Sequence, residues 1–178
     1  MMTKKISLYA SFLILSLGFS YAESFIPAGF LFPGFKPGFA NLVPLTLIIY
    51  GQPLAALMIN IARILLSALL FGSVSALPFS LAGACGSFLI MWLLCKTEKF
   101  SPVGLSLAGG VTHNIFQVCV SLIFLPISVF RFICIFIALG AVTGTVMGIL
   151  CNTVIGRFDR FLKVIKREKE IQNENQTL

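Results

Sequence analysis

The sequence predicts an all-α integral membrane protein built as a bundle of six transmembrane helices. Two observations carry that prediction. Apolar residues make up 58% of the chain and charged residues 11%, against roughly 45–50% and about 25% in soluble domains. The few charges are also kept out of long stretches: between Ile6 and Cys95 they are Glu23, Lys36 and Arg63, and between Ser101 and Gly156 there is Arg131 alone. A hydrocarbon core about 30 Å thick demands such runs.

Glycine, proline and charge divide the 178 residues into six spans at about 6–26, 39–50, 54–71, 77–95, 103–125 and 129–155, so that residues 1–156 form one membrane domain. The first follows Lys4 and Lys5 and ends near "SYA", which also fits a signal peptide cleaved after Ala22; we read it as a retained span. The second is short: twelve helical residues rise only about 18 Å, and Pro44 interrupts them. Charge decides whether it crosses. With six crossings and the N-terminus inside, Lys4, Lys5, Lys96, Lys99 and the basic tail share the cytoplasmic side, leaving Lys36 and Arg131 outside; with five, "KTEK" (96–99) and the tail move outside, against the positive-inside rule. The missing length is assigned to "PAGFLFPGFKPGFAN" (27–41), entering the membrane as irregular backbone covered by protein or facing a polar cavity.

The third to sixth spans each carry a mark. Arg63 in the third costs about 2.5–3.5 kcal/mol at a helix centre facing lipid, so it faces the bundle interior; Asn60, Arg63 and Ser67 form one polar stripe at i, i+3 and i+7. Arg63 is read either as the partner of Glu23 in a buried ion pair or as the receptor of an anionic ligand, and the two roles are compatible. Gly83 and Gly86 mark the fourth span as a close-packing helix. In the fifth, "LAGGVTHNIFQ" (107–117) places His113 and Gln117 on one face with Asn114 beside them. The sixth carries Gly140, Gly144 and Gly148 at four-residue intervals, a small-residue packing stripe. After it, residues 157–178 form a cytoplasmic tail. Phe158, Phe161, Leu162 and Ile165 fall at helical spacing among Arg157, Arg160, Lys163, Lys166, Arg167 and Lys169, which suits a helix on an anionic leaflet or a partner. "IQNENQTL" is expected to be a disordered end.

Several functions are excluded by what is missing. The net charge of +7 is concentrated in the tail as a cytoplasmic flank, so nucleic acid is not the expected partner. One histidine with no acidic neighbour in its span is a poor metal site, and nothing is placed to orient it as a catalytic base. Five cysteines without C-x-x-C spacing read as packing residues. There is no G-x-x-x-x-G-K-[ST] phosphate loop and no carboxylate cluster for magnesium. The expectation is a non-enzyme with no catalytic residues, no metal and no cofactor.

"PGFKPGFAN" (33–41), "ARILLSALLFGS" (62–73), "LPFSLAGACGS" (77–87) and "LAGGVTHNIFQ" (107–117) resemble, in order and spacing, the bacterial Gx transporter family, also called heptaprenyl diphosphate synthase component I. That family is similar to the S components of energy-coupling-factor (ECF) transporters, six-helix proteins that bind a small molecule while a separate transmembrane subunit and ATPases drive uptake. The chain departs from the family pattern at Pro37 and Phe116, and its first span lacks the A-x-x-x-A pattern by which S components often dock.

Two functions follow. The first is a solute-binding transporter subunit in the bacterial inner membrane, with both termini cytoplasmic, importing a small, anionic molecule. Lys36, Asn41, Asn60, Arg63, His113, Asn114 and Gln117 would line its site, among lipids and with transporter transmembrane and ATPase subunits as partners. The second, implied by the family's common name, is a non-catalytic membrane partner of a prenyl diphosphate synthase in isoprenoid synthesis.

Overall fold

A computed structural model describes residues 2–25, 39–71, 74–124 and 127–176, with side chains placed for residues 6–25, 39, 41–71, 74–124 and 130–157. Within these residues the chain is helical, with no strand: α1 (Met2–Ser24), α2 (Leu42–Ile49), α3 (Pro53–Leu70), α4 (Leu77–Cys95), α5 (Pro102–Phe124) and α6 (Ile133–Gln176). Short 3-10 turns lead into α2, α4 and α6. Five segments are long and apolar enough to cross a membrane: Ile6–Ser24, Pro53–Leu70, Val74–Cys95, Pro102–Phe124 and Phe130–Arg157. Polarity is inverted relative to a soluble protein. Ile14, Leu54, Leu69, Ile123 and Val142 are exposed, whereas Ser16, Glu23, Asn60, Arg63, Asn114 and Gln117 are buried, as expected where lipid is the solvent and polar groups must find partners inside.

The short second segment is the centre of the molecule. All seven residues from Leu42 to Ile48 are buried, and α2 packs against each of the other five helices. Its side chains join Ala56 and Ile59 of α3, Phe88 and Met91 of α4, Leu105 of α5 and Met147 and Cys151 of α6 in one core. A helix apolar all round belongs there. Pro44 does not interrupt it, contrary to the sequence expectation: it occupies the third helical position, in the first turn, where the backbone N–H has no intrahelical acceptor to lose. What ends α2 is a Schellman turn. Gly51 takes a left-handed φ of 73°, its N–H bonds the Ile48 carbonyl at 3.0 Å, and the Gln52 N–H reaches back to Leu47 at 2.8 Å. Pro53 then opens α3 at once.

Contacts at the two ends of the bundle fix the helix directions. Tyr9, early in α1, donates to Gln52 Oε1 at 3.3 Å just before α3 begins, and Tyr21, late in α1, packs its ring 5.1 Å from that of Phe71 just after α3 ends. Helices α1 and α3 therefore run parallel, so the chain between them returns from one end of the bundle to the other. Eight residues of α2 rise about 12 Å, less than the bundle height; most of 27–41, to which the missing length is assigned, lies outside the described residues. The remaining helices alternate. Phe79 at the start of α4 meets Phe124 at the end of α5, and α5 lies antiparallel to α6 along Gly110, Gly140, Gly144 and Gly148.

The tail differs from expectation. Helix α6 runs unbroken for 44 residues through Gln176, so the tail continues the sixth span and most of the stretch expected to be disordered is helical. No glycine or proline follows Gly156, and Lys, Arg, Glu and Gln are good helix formers.

Candidate functional site

Helices α1, α3, α4 and α5 bring polar side chains together toward the end of the bundle where α1 finishes. Arg63 is the centre. It is 5% exposed, Asn60 1% and Ser67 2%, so the stripe at i, i+3 and i+7 faces inward throughout. Arg63 Nη2 donates to Asn60 Oδ1 at 2.7 Å, one turn earlier on the same helix, and Nη1 donates to Ser20 Oγ of α1 at 3.0 Å. Its Nε–H has no acceptor among the described residues. A buried donor in that state calls for a water or a ligand group.

The space it faces is a cavity of about 20 Å³ lined by Glu23, Asn41, Arg63, Ile64, Ser67, Ser80, His113 and Gln117. Glu23 is itself buried and attracts Arg63 electrostatically; with a neutral histidine, the fixed charges of the cavity cancel. Arg63 and Ser67 of the α3 stripe and His113 and Gln117 of α5 line this cavity together. A second cavity of about 20 Å³ shares Asn41 and His113 with the first and is lined also by Met91, Ser106, Gly109, Gly110, Asn114, Thr143, Gly144 and Met147. Each has room for a water or two, far below the few hundred Å³ of an organic-ligand pocket.

Not every sequence-predicted residue faces this space in the same way. Asn114 lines the second cavity but spends its amide as an interhelical pin, Nδ2 donating to the Phe136 carbonyl of α6 at 2.7 Å. Asn60 acts through Arg63. Lys36 lies outside the described residues. Phe116 lies away from the cluster: its ring, 41% exposed, covers Gly86, where an added methyl would come 2.5 Å from it.

The glycines set how closely these walls approach. A methyl on Gly83 would sit 2.9 Å from both His113 and Gln117, so α4 presents bare backbone to that face. On α6, methyls at Gly140, Gly144 and Gly148 would strike α5 backbone at Gly110, Ser106 and Val103, at 2.5 to 2.6 Å. The stripe thus seals an internal seam with α5.

Of α1, sequence reasoning named Glu23 but missed the two serines. Ser16, Ser20 and Glu23 are all buried and stand at i, i+4 and i+7, a polar stripe as regular as that of α3. Its signal was the serine spacing in an apolar span. Ser106 and Thr143, which line the second cavity, carried no such signal, because isolated hydroxyls in membrane helices usually bond their own backbone, as Thr143 does to Leu139. Among the described residues no group of three or more metal-ligating side chains comes together.

No curated protein and no solved structure matches this chain. The family model of heptaprenyl diphosphate synthase component I matches residues 12–154, nearly the whole helical bundle around this site, and the chain belongs to that family.

Proposed function

We propose that the protein is a non-catalytic, solute-binding membrane subunit of a transporter, similar in role to an ECF S component. It would cross the bacterial inner membrane six times, with both termini in the cytoplasm. The observation that carries this reading is Arg63: a buried guanidinium held by Ser20 and Asn60, with one N–H lacking an acceptor among the described residues, in a cavity shared with Glu23, His113 and Gln117. An arginine placed at such cost inside a membrane protein marks a binding or transport site. The parallel course of α1 and α3 supports the sixth crossing, because the chain has to return between them. The cavities are water-sized, so an organic solute enters only as the walls around Arg63 move apart, while separate transmembrane and ATPase subunits supply the energy. The test is mass spectrometry of small molecules carried through purification in mild detergent. A compound with an anionic group should be enriched with the wild-type protein and lost with Arg63→Ala; equal recovery from both proteins overturns the reading.

The family's description favours a second reading, a membrane component that associates with a heptaprenyl diphosphate synthase subunit. The continuous α6 helix would present its basic extension to the soluble enzyme. Removing residues 157–178 should abolish co-purification of the synthase in this case and leave any bound solute in place.

A further inference from the structure

On the lipid-facing flank of the bundle, away from the buried polar cluster, α1 and α3 leave a groove of about 300 Å³ between them, lined by Tyr9, Gln52, Leu54, Ala55, Met58 and Ile59. We propose that this groove seats one anionic phospholipid, with an acyl chain along α3 and the headgroup at the end where Lys4 and Lys5 begin α1. The inference stands apart from both functional readings above. Polarity is confined to one end of the groove. There Tyr9 donates to Gln52 Oε1 at 3.3 Å, and a tyrosine suits the level of the headgroups. From Gln52 onward the wall is Leu54, Ala55, Met58 and Ile59, all apolar. Leu54 and Met58 are 70% and 63% exposed, while Ile59, at 6%, forms the floor. A molecule with one polar end and one apolar chain matches that distribution.

Length and charge select the occupant. From Gln52 to Ile59 the groove follows about 10 Å of helix, most of the roughly 15 Å of hydrocarbon in one leaflet. A partner's transmembrane helix would need a track along the full core of about 30 Å, whereas an acyl chain stays within its leaflet. Apolar walls give water too few partners to hold it there, and an empty groove forfeits the contacts of every atom that lines it. Because α1 and α3 run parallel, the start of α1 lies at the same end of the bundle as Gln52. Lys5 stands one turn before Tyr9 in α1, next to Lys4. No acidic residue occurs before Glu23 or between Glu23 and Glu98, so neither α1 at this end nor α3 supplies a carboxylate to neutralise the two lysines. Two cationic residues at headgroup depth select an anionic lipid over a zwitterionic one.

The test is native mass spectrometry of the full-length protein in mild detergent, titrated with phosphatidylglycerol or with phosphatidylcholine of the same chains. The wild type should hold one phosphatidylglycerol at least about tenfold more tightly than phosphatidylcholine, as two lysines at a headgroup imply. Ala55→Phe, which puts a ring into the groove, should lose that tight site. Lys4→Gln combined with Lys5→Gln should bring phosphatidylglycerol to the level of phosphatidylcholine and leave phosphatidylcholine unchanged. Ile123→Phe, at a position of α5 that is 75% exposed and outside the groove, should bind as the wild type does. Glycerol 3-phosphate should not displace the lipid, because it carries the charge without the chain. Equal affinity of the wild type for the two lipids overturns the proposal, as does displacement by glycerol 3-phosphate. Unchanged phosphatidylglycerol affinity in Ala55→Phe places the lipid elsewhere, such as the basic tail, and overturns it too. So does loss of a co-purifying protein from Ala55→Phe while the lipid stays, which gives the groove to a partner. Thermal unfolding in detergent establishes that each variant is folded, and the lysine variant alone decides the question if Ala55→Phe is not.

Discussion

The Asn114 amide donates to the backbone carbonyl of Phe136 at 2.7 Å, one turn along α6 from Gly140, whose missing side chain lets the amide come so near. The bond pins α5 to α6 where the glycine seam begins. Asn114→Leu should lower stability by roughly 0.5–2 kcal/mol, the range measured for hydrogen bonds between membrane helices, read as a shift of the unfolding midpoint in a graded detergent series. A midpoint equal to wild type would show that the bond contributes nothing net.

Added bulk on the seam should be far more costly than on an open face. A methyl at Gly144 would come 2.6 Å from the Ser106 carbonyl, so Gly144→Ala forces the two backbones apart and should destabilise by about 1–3 kcal/mol, as overpacking does. A methyl added at Gly18, within α1, would meet nothing within 4 Å outside its own helix turn. Gly18→Ala should therefore be neutral or stabilising by up to roughly 1 kcal/mol through helix propensity. The same unfolding series separates the two outcomes.

Arg63 and Glu23 should prove coupled. Removing one member of a buried pair leaves an uncompensated charge and costs about 3–5 kcal/mol, whereas replacing both by neutral groups is far milder. Arg63→Met and Glu23→Gln should each be strongly destabilising and the double variant less so than either single change. Additive losses in a double-mutant cycle would mean that each charge has its compensation elsewhere.

Sidedness is open to test with a membrane-impermeant maleimide on a background in which the five cysteines are replaced. Cysteines introduced for Gln52 and Lys99 should label from one face and one for Ser75 from the other. This follows because α1 and α3 run parallel and α4 returns beside α3. In sealed cells the first two should be protected, as the positive-inside distribution requires; the reverse pattern would invert the topology.

Much of this architecture is legible in the residues themselves. Helices α3, α4 and α5 begin and end within a residue of where glycine, proline and charge placed them, because lipid imposes one rule on every span. The inward faces of Arg63 and His113 were equally readable, since a charged or polar stripe on an apolar helix has only one place to go. Other features depend on tertiary context. That α2 sits at the centre follows from its packing with five helices, which no local pattern encodes, and Pro44 misled because its meaning depends on how near it stands to a helix start. The seam partner of Gly140, Gly144 and Gly148 was open for the same reason: a small-residue stripe says that something comes close, and only the fold says what.

The unbroken course of α6 has a mechanical consequence. Forty-four residues make a rod roughly 66 Å long, about twice the thickness of the hydrocarbon core, seated in the bundle by its glycine seam and extending beyond it. A pull or twist on the projecting end is passed along the rod to the seam at Gly140, Gly144 and Gly148, and through Thr143 and Gly144 to the cavity beside His113. Whatever grips the tail thereby holds a lever on the buried polar cluster.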